Sequence, residues 1–247
     1  MSANIDRTIS RFFGRALHGY DMIVEGDRVV AGLSGGADSI TMVYWLAEWR
    51  KRLGFRFDLV VYSLILDFGK DGYKEHLLRE FCKGIGVDLE IVKVRAEEVI
   101  SPDRACYTCS RFRRISIFRF AEKNGFNKIA LGHNRDDLVT TFFMNMFFHG
   151  EIATLKPVQS MFDGKFHIIR PLIFLRKETI RKWLKNKGLS EIEDYCPYKH
   201  DNYRKRVEDI VFNVIYPLNE KVRNNVFKSI FNVKLEFLPE KPKKGRF

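Results

Sequence analysis

The stretch Arg28-Val-Val-Ala-Gly-Leu-Ser-Gly-Gly-Ala-Asp-Ser39 decides how this chain folds. Residues 28–33 are apolar enough for a buried strand, and an amphipathic helical pattern begins at Ile40. Glycines between the two let the backbone approach a phosphate group, and the free N–H groups of the helix's first turn point towards it. Ser34 and Ser39 add hydroxyl donors. The stretch therefore predicts a strand, a phosphate-binding loop and a helix.

This loop differs from two common nucleotide-binding motifs. It lacks the Gly-Lys-Ser/Thr of a Walker A motif, so a kinase or GTPase fits poorly. Its glycine spacing also differs from that of a dinucleotide-binding fingerprint.

Strands and helices keep alternating beyond the loop. This alternation is typical of an α/β fold with a doubly wound parallel sheet and right-handed crossovers. The further predicted strands are 57–66, 89–94 and 128–131, and the predicted helices are 40–52, 73–83, 112–123 and 136–148.

The pattern changes after about residue 175, where helical segments dominate and basic residues become denser. We predict helices at 177–187, 202–215 and 220–230. The predicted organisation is an N-terminal helix (1–24), the domain that carries the phosphate loop (25–175) and a basic helical C-terminal region (176–247).

Composition argues for a folded protein outside membranes. Hydrophobic residues make up 45% of the 247 residues, which is enough for a sizeable core. The longest mainly apolar stretch, residues 59–66, is far too short to span a bilayer, and the N-terminus lacks the apolar core of a signal peptide. A cytoplasmic location is expected.

The charge balance indicates a polyanionic partner. The net charge is +12, with the excess concentrated in residues 104–119, 170–187, 199–206 and the tail 241–246. Basic clusters of this kind favour nucleic acid, because each neutralised phosphate releases counterions.

A second motif, Leu131-Gly-His-Asn-Arg-Asp-Asp137, follows the predicted fourth strand and opens a helix. Gly132 permits a tight turn, and the helix dipole favours acids at Asp136 and Asp137. Adjacent carboxylates also suit an oxygen-preferring cation such as Mg²⁺. Asp67, at the end of the second strand, lies where open sheets bind ligands and is a candidate for the nucleotide site, although an ordinary strand-end role fits equally.

Four cysteines complete the set of candidate residues. Cys106 and Cys109 form a CxxC pair, Cys196 lies far downstream, and Cys82 has the surroundings of a small core residue. In a cytosolic chain such cysteines indicate metal or redox chemistry more than structural disulfides. By itself a CxxC pair is compatible with a redox motif, half a zinc site or cluster ligands.

Ser-Gly-Gly-Ala-Asp-Ser resembles the signature of the PP-loop ATP pyrophosphatase superfamily, which has an adenine nucleotide alpha-hydrolase-like fold. Members cleave ATP between the α and β phosphates and adenylate a substrate. The resemblance implies that Ser34, Gly35, Gly36 and Ser39 hold the pyrophosphate. It also implies that Asp38 lies by the phosphates and, with Asp136, holds Mg²⁺.

The second motif, Gly132-His133-Asn-Arg-Asp136-Asp137, is similar to a motif of the tRNA thiolation branch. This resemblance implies that Gly132, His133, Asp136 and Asp137 belong to the ATP site. Residues 140–150 resemble the corresponding helix of the 2-thiocytidine synthetase family (TtcA). The likeness covers most of residues 25–235, loosely outside the motifs. The family commonly has lysine where Ala37 stands, and the setting of Cys196 is closer to the 2-thiouridine family (TtuA).

In these families a CxxC and one distant cysteine hold a [4Fe–4S] cluster with one open iron, which implies that Cys106, Cys109 and Cys196 are catalytic cluster ligands. Two other possibilities stay open. One is a Cys3His zinc site that includes His133 or His200. The other uses Cys109 or Cys196 as a persulfide carrier.

The function expected from this resemblance is ATP-dependent tRNA thiolation. The enzyme would adenylate C2 of a pyrimidine, a cytidine in the anticodon loop or otherwise a uridine, and replace its oxygen by sulfur. The first expected partner is tRNA, whose phosphates would be contacted by Arg111, Arg113 and Arg114. The second is a sulfur donor, which would be a cysteine desulfurase, sulfide or a sulfur-carrier protein. A homodimer is expected by analogy. A PP-loop ligase for a small molecule and a non-catalytic iron–sulfur RNA-binding protein are the competing classes.

Overall fold

Six strands form one sheet in the computed structural model of this protein, which describes residues 2–69, 73–192, 196–198 and 203–239. They are β1 (Arg28–Gly32), β2 (Asp58–Asp67), β3 (Asp88–Arg95), β4 (Lys128–Ala130), β5 (Val158–Met161) and β6 (Phe166–Ile169). Their order across the sheet is β3-β2-β1-β4-β6-β5, and every neighbouring pair is parallel except β5 and β6. The predicted α/β fold is confirmed, as a mostly parallel sheet flanked by helices.

The β5–β6 hairpin was not predicted. Each of its strands has only four residues, which is too short for a period-two pattern to stand out from the surrounding loop. The turn between them contains three residues with positive φ: Phe162, Asp163 and Gly164. The hairpin adds an antiparallel edge to the parallel sheet.

Eight α-helices are found in the described residues. They are α1 (Ser2–Gly19), α2 (Ala37–Arg50), α3 (Tyr73–Ile85), α4 (Ala105–Asn124), α5 (Arg135–His149), α6 (Lys177–Asn186), α7 (Tyr203–Ile210) and α8 (Val222–Ser229). A π-helical stretch, Val211–Ile215, continues α7, so the predicted helix at 202–215 is present with a changed geometry at its end. None of the helices in the described part is long and apolar enough to cross a membrane.

The start of α4 corrects the sequence prediction. The helix was expected from residue 112, which placed the CxxC pair in a loop, but it begins at Ala105. The first turns carry no apolar periodicity, and their one buried residue, Ala105, is too small to produce a pattern. Cys106 and Cys109 therefore lie on consecutive turns of a helix, three residues apart and on one face.

Contacts divide the chain into two compact units. The first contains residues 1–138 and 155–200 and includes the whole sheet, whereas the second contains 139–154 and 201–247. The first unit includes both α1 and α6. Phe13 of α1 stacks on Trp49 of α2, and Trp183 of α6 donates a 2.7 Å hydrogen bond from its indole N–H to Asp6 of α1.

The second unit is described by itself. In it the C-terminal part of α5 contacts α7 through Phe148 and Tyr203, whose ring centroids lie 5.1 Å apart. Phe227 and Phe231 pair near the end of α8. Helices make up most of the described residues of this unit.

Candidate functional site

The loop between β1 and α2 is held in shape by glycine conformation and by a neighbouring backbone. Gly35 has φ +92°, which favours glycine, and a Cβ there would lie 2.4 Å from the carbonyl oxygen of Ile192. The Ile192 N–H in turn donates a 2.8 Å hydrogen bond to the Gly35 carbonyl. Only glycine fits at this position without displacing the segment around Ile192.

Two serine hydroxyls brace the same loop from within. The Ser34 N–H donates to Ser39 Oγ at 3.2 Å, and Ser39 Oγ donates to the Gly36 carbonyl at 2.9 Å. The two serine hydroxyls are 3.1 Å apart. The loop is therefore organised before any anion arrives, which lowers the entropic cost of binding one.

The second motif packs directly against the first, because β4 and β1 are neighbours in the sheet. A Cβ on Gly132 would lie 3.1 Å from the Ser39 backbone nitrogen and 3.3 Å from the Asp38 carbonyl oxygen, which leaves little room for any larger residue. The Asn134 side-chain amide donates a 3.0 Å hydrogen bond to Asp38 Oδ1. Two motifs about a hundred residues apart in sequence thus form one site.

Asp38 has a perturbed acidity. Its pKa is raised from 3.8 to about 6, first by burial and then by the nearby negative charge of Asp137. The hydrogen bond from Asn134 and the positive charge of Lys177 act in the opposite direction. The carboxyl group is therefore mostly ionised at neutral pH, but its charge is costly and favours a cation nearby.

The two adjacent acids of the second motif have different environments. Asp136 is only 4% exposed, and its Oδ2 accepts a 2.7 Å hydrogen bond from the Lys177 N–H in the first turn of α6. Asp137 Oδ2 accepts from the Asn134 N–H at 2.9 Å, and its charge acts on Asp38. Asp136 therefore accepts a hydrogen bond from a backbone N–H at the start of α6. Asp137 is the acid whose charge interacts with Asp38 of the phosphate loop.

A cavity of about 400 Å³ opens beside the loop. This volume lies in the range of small-molecule sites. The loop and the second motif line part of it, and residues of α4 line another part. The cavity is lined by Ser34, Asp38, Ser39, Gly132, His133, Arg113 and Arg114, and by the apolar Leu64 and Ile117 among others.

Arg170 orients His133 at the edge of this cavity. Its Nε–H donates to His133 Nδ1 at 3.3 Å, and its Nη2 donates to Gln159 Oε1 at 3.0 Å. Arg170 is nearly buried, and both burial and the charge of Arg114 lower its pKa to about 10. Because Nδ1 accepts a hydrogen bond, a neutral His133 carries its proton on Nε2 and is a donor there.

Asp67 lies apart from this cavity. It lines a different one, of about 370 Å³, with Tyr198 and Arg95. Its carboxylate accepts a 2.7 Å hydrogen bond from the Gly69 N–H, which is an ordinary turn at a strand end. The structure does not bring Asp67 to the phosphate loop.

The CxxC helix connects the cysteines to the cavity. Arg113, one turn beyond Cys109, donates from Nε to Cys109 Sγ at 3.4 Å and from Nη1 to the Leu64 carbonyl at 2.8 Å. Cys106 is exposed, and its Sγ lies 3.8 Å from the Tyr198 carbonyl oxygen. Tyr198 is only two residues beyond Cys196, so the distant cysteine belongs to a segment that reaches the CxxC turn.

The three thiols fit a cluster in number and chemistry. Thiolates are the ordinary ligands of iron–sulfur clusters, and two of the three lie on one helical face. Within the described ranges, no group of three or more His, Cys, Asp or Glu side chains is already spaced to hold a metal ion. Cys82 is 1% exposed and burial raises the pKa of its thiol to about 12, as expected of a core residue. His200 lies outside the described residues.

The three arginines predicted to contact tRNA have different positions on α4. Arg113 and Arg114 line the cavity, whereas Arg111 is exposed and does not line it. The basic tail at 241–246 lies outside the described residues. Arg113 is thus tied to the cavity and to Cys109, which the sequence did not indicate.

Sequence reasoning missed three residues of this site. The sequence assigns no role to Asn134, although its position between Gly-His and Asp-Asp is a usable signal. Arg170 stands out in the sequence only for its charge. Lys74 donates from Nζ to the Ser34 carbonyl at 3.0 Å, and nothing in the sequence links α3 to the loop.

Comparisons with known proteins agree with this geometry. A family model described as a PP-loop domain matches residues 1–215. The tRNA-cytidine(32) 2-sulfurtransferase of Methylobacillus flagellatus is 34% identical over 92% of this chain and 76% of the relative. The Cupriavidus necator protein of that name is 35% identical over 89% and 71%. The solved U34-tRNA thiolase NcsA from Methanococcus maripaludis, with its [4Fe-4S] cluster, has the same fold, with a TM-score of 0.74, 21% identity and coverage of 98% and 83%.

Proposed function

The chain belongs to the PP-loop family and to the same group as the tRNA-cytidine(32) 2-sulfurtransferases, and we propose from this that it is an ATP-dependent tRNA sulfurtransferase. Its substrate is a cytidine in the anticodon loop, whose C2 oxygen it replaces by sulfur. The names of the relatives support the cytidine, and the site described above supports the chemistry.

One observation carries the proposal: α4 begins with the CxxC pair and also forms a wall of the nucleotide cavity. Arg113 contacts both Cys109 and the Leu64 carbonyl at that cavity. Activation by ATP and delivery of sulfur at the same carbon need the two groups close together. A small-molecule ligase would need the loop but gives no reason for cysteines one helical turn from its cavity.

The loop supplies the binding groups for ATP. Backbone N–H groups and hydroxyls lie at the positive end of α2, and they belong to Ser34, Gly35, Gly36 and Ser39. These groups hold the β and γ phosphates. The cytidine C2 oxygen attacks the α-phosphorus, the bond to pyrophosphate breaks, and an adenylated base forms. Donors of the loop are already aimed at the charge that develops on the leaving pyrophosphate.

Acids of the two motifs hold the Mg²⁺ that accompanies ATP. The family resemblance implies Asp38 and Asp136 as the magnesium ligands, but Asp136 accepts a hydrogen bond from the Lys177 N–H at the start of α6. We propose Asp38 with Asp137, since the charges of these two carboxylates already repel each other and a cation relieves that repulsion. Magnesium at this place neutralises charge on the phosphates.

Cys106, Cys109 and Cys196 are the residues that would hold a [4Fe–4S] cluster. When bound, such a cluster would supply iron that binds sulfide, the sulfur that replaces the C2 oxygen. The Arg113 guanidinium donates a hydrogen bond to Cys109 Sγ and so lies between the cysteines and the nucleotide. AMP leaves C2 as the carbon–sulfur bond forms.

His133 is the donor beside the reacting phosphate. Arg170 fixes its Nδ1 as the acceptor, which places the ring proton on Nε2, and we propose that this N–H meets an oxygen of ATP in the cavity. A hydrogen bond to the α-phosphate stabilises charge that grows in the transition state. Gly132 allows the second motif to lie against the loop at this point.

The tRNA is bound by positive charge. Arg114, at the cavity, and the exposed Arg111 are placed to meet phosphates next to a base that is splayed into the site. The basic cluster at residues 170–187 adds further positive charge to the same unit. We also propose a cytoplasmic location, a homodimer, and a cysteine desulfurase, sulfide or a sulfur-carrier protein as donor.

The decisive experiment is thiolation in vitro. Anaerobically reconstituted protein is incubated with ATP, Mg²⁺, sulfide and tRNA that carries either a cytidine or a uridine at the candidate position, and nucleosides are measured by mass spectrometry. We expect 2-thiocytidine together with one AMP per sulfur. Formation of 2-thiouridine would reassign the base, and AMP release with a small molecule but not with tRNA would overturn the proposal.

A further inference from the structure

The solvent-exposed face of α1 carries a row of arginines. The exposed residues of this helix from position 4 to its end are Asn4, Arg7, Arg11, Arg15, His18 and Gly19. The arginines are four residues apart, so they share one face and follow each other by about 6 Å along the axis. The single acid of α1, Asp6, is engaged elsewhere, because it accepts the hydrogen bond from Trp183 and pairs with Lys187 at 3.0 Å.

This row lacks the compensation that a solvated helix face usually has. Like charges four residues apart repel each other and weaken a helix. No carboxylate of the described residues forms an ion pair with any of the three arginines. The Arg15 guanidinium lies 4.5 Å from the centre of the Phe174 ring, and that of Arg11 lies 4.9 Å from the Phe12 ring. Cation–π contacts stabilise a guanidinium without using its hydrogen-bond donors, so these remain for a partner.

The neighbouring helix α6 extends the positive surface. Its exposed residues are Glu178, Arg181, Lys182, Lys185 and Asn186. A groove of about 400 Å³ lies between the two helices, and its lining includes Asn4 and Thr8 of α1 and Lys182 and Asn186 of α6. The exposed faces of the two helices are therefore neighbours within one compact unit. We call their six bases the α1–α6 surface: Arg7, Arg11, Arg15, Arg181, Lys182 and Lys185.

The start of α6 connects this surface to the nucleotide site. The Lys177 N–H donates to Asp136 of the second motif, and the charge of Lys177 acts on Asp38 of the phosphate loop. Lys185 lies eight residues further along the helix, about 12 Å from that end. The α6 part of the surface therefore begins at the site and leads away from it.

The surroundings of α1 favour a nucleic-acid backbone over a membrane surface. A helix that binds lipid needs an apolar face that is free to enter the acyl region. The apolar face of α1 is buried in the core, where Ile9 and Phe13 are 0% exposed and Phe13 stacks on Trp49. Phosphates of a nucleic acid need only exposed charge and donors, and the guanidinium fork suits them in geometry.

We infer that the α1–α6 surface is an RNA-binding surface on which Arg7, Arg11 and Arg15 hold the phosphate backbone of the substrate tRNA. The nucleotides bound there lie outside those that enter the cavity. Contacts to phosphates position the RNA and carry no base specificity. This inference rests on the proposed function, which supplies tRNA as the partner.

The test measures the affinity for unmodified tRNA at several salt concentrations. The main variant removes three charges and is Arg7→Gln/Arg11→Gln/Arg15→Gln. A second variant keeps the charges and is Arg7→Lys/Arg11→Lys/Arg15→Lys. Binding of Mg·ATP to each protein is measured by calorimetry.

The matched control removes three exposed charges from the same compact unit and is Arg56→Gln/Lys83→Gln/Lys123→Gln. Each of these residues lies shortly before a parallel strand, β2, β3 or β4. They are therefore at the edge of the sheet opposite the phosphate loop. The control shows how much of any effect comes from net charge alone.

We expect the glutamine variant to lose about tenfold or more in tRNA affinity near 0.1 M salt. The slope of log K against log salt should decrease in magnitude by about 2–3, because each lost phosphate contact leaves nearly one counterion unreleased. The lysine variant should stay within about threefold of wild type, and the control within about twofold. Mg·ATP should bind equally to all four proteins.

Two results would overturn the inference. One is a glutamine variant with the tRNA affinity and salt slope of the wild type, and the other is an equal loss in the control. If the glutamine variant instead loses only affinity for phosphatidylglycerol vesicles, the surface belongs to a membrane partner. A wild-type protein that binds Mg·ATP but no tRNA at any salt concentration would refute the proposed function itself.

Discussion

The Asn134 side-chain amide lies 3.0 Å from Asp38 Oδ1 and joins the two motifs of the nucleotide site. The same asparagine accepts hydrogen bonds at its Oδ1 from the N–H groups of Asp136 and Asp137. One neutral side chain therefore organises the start of α5 and holds the acid of the phosphate loop. This arrangement explains how a carboxylate can stay buried beside a second acid.

Asp38→Asn is expected to stabilise the protein at neutral pH. The pKa of Asp38 is raised from 3.8 to about 6, mainly by burial and also by the charge of Asp137, so the folded state binds the proton more tightly than the unfolded state. Stability from this group is complete below pH ~4 and is lost as the pH rises through ~6. The variant should gain about 2 kcal/mol in the free energy of unfolding at pH 7.5 and nothing at pH 4.

Urea unfolding at several pH values checks this expectation. Asparagine keeps the acceptor for Asn134 and removes only the charge. If the difference in the free energy of unfolding between variant and wild type does not grow between pH 4 and pH 6.5, ionisation of Asp38 does not destabilise the folded protein. Mg·ATP affinity should fall at the same time, because the metal loses its carboxylate.

Arg170→Gln should slow adenylation more than it weakens ATP binding. Glutamine cannot orient His133 Nδ1 while also contacting Gln159, so the imidazole loses its fixed direction. We expect single-turnover AMP formation to fall about tenfold or more, with the dissociation constant of ATP changed less than about threefold. Arg28→Gln, at the opposite end of β1, is the control. Equal losses in binding and rate would contradict an orienting role.

Asp136 is expected to act as a cap for α6 and not as a magnesium ligand. Asp136→Ala removes the acceptor of the Lys177 N–H and should cost about 1–2 kcal/mol in the free energy of unfolding. Asp136→Asn keeps an acceptor and should cost much less. The Mg²⁺ concentration for half-maximal activity should stay within about twofold in Asp136→Asn and rise in Asp137→Asn. The reverse pattern would restore the original pairing of Asp38 with Asp136.

Cluster binding should depend on three of the four cysteines. Anaerobically reconstituted wild type should show a broad band at about 400 nm and about four irons per chain. Cys106→Ala, Cys109→Ala and Cys196→Ala should each lose most of both, whereas Cys82→Ala keeps them because that thiol is buried in the core. A colourless wild type with one zinc would favour the Cys3His site.

The sequence by itself determined the sheet and its central loop. Apolar runs such as residues 57–66 and helical periods were long enough to predict four of the strands, and the glycines and serines at 34–39 marked the phosphate site. These signals are local, since each depends on neighbouring residues or on one helical turn. The short hairpin strands, β5 and β6, had no such signal.

Tertiary structure decided which side chains meet. The separate roles of Asp136 and Asp137, two neighbours in the chain, follow from the position of α6, which sequence spacing does not reveal. Asp67 turned out to face another cavity, and Lys74 reached the loop from a helix with no motif of its own. Hydrogen bonds and charges act through space over a few ångströms, so a site built from distant segments is fixed only when the chain has folded.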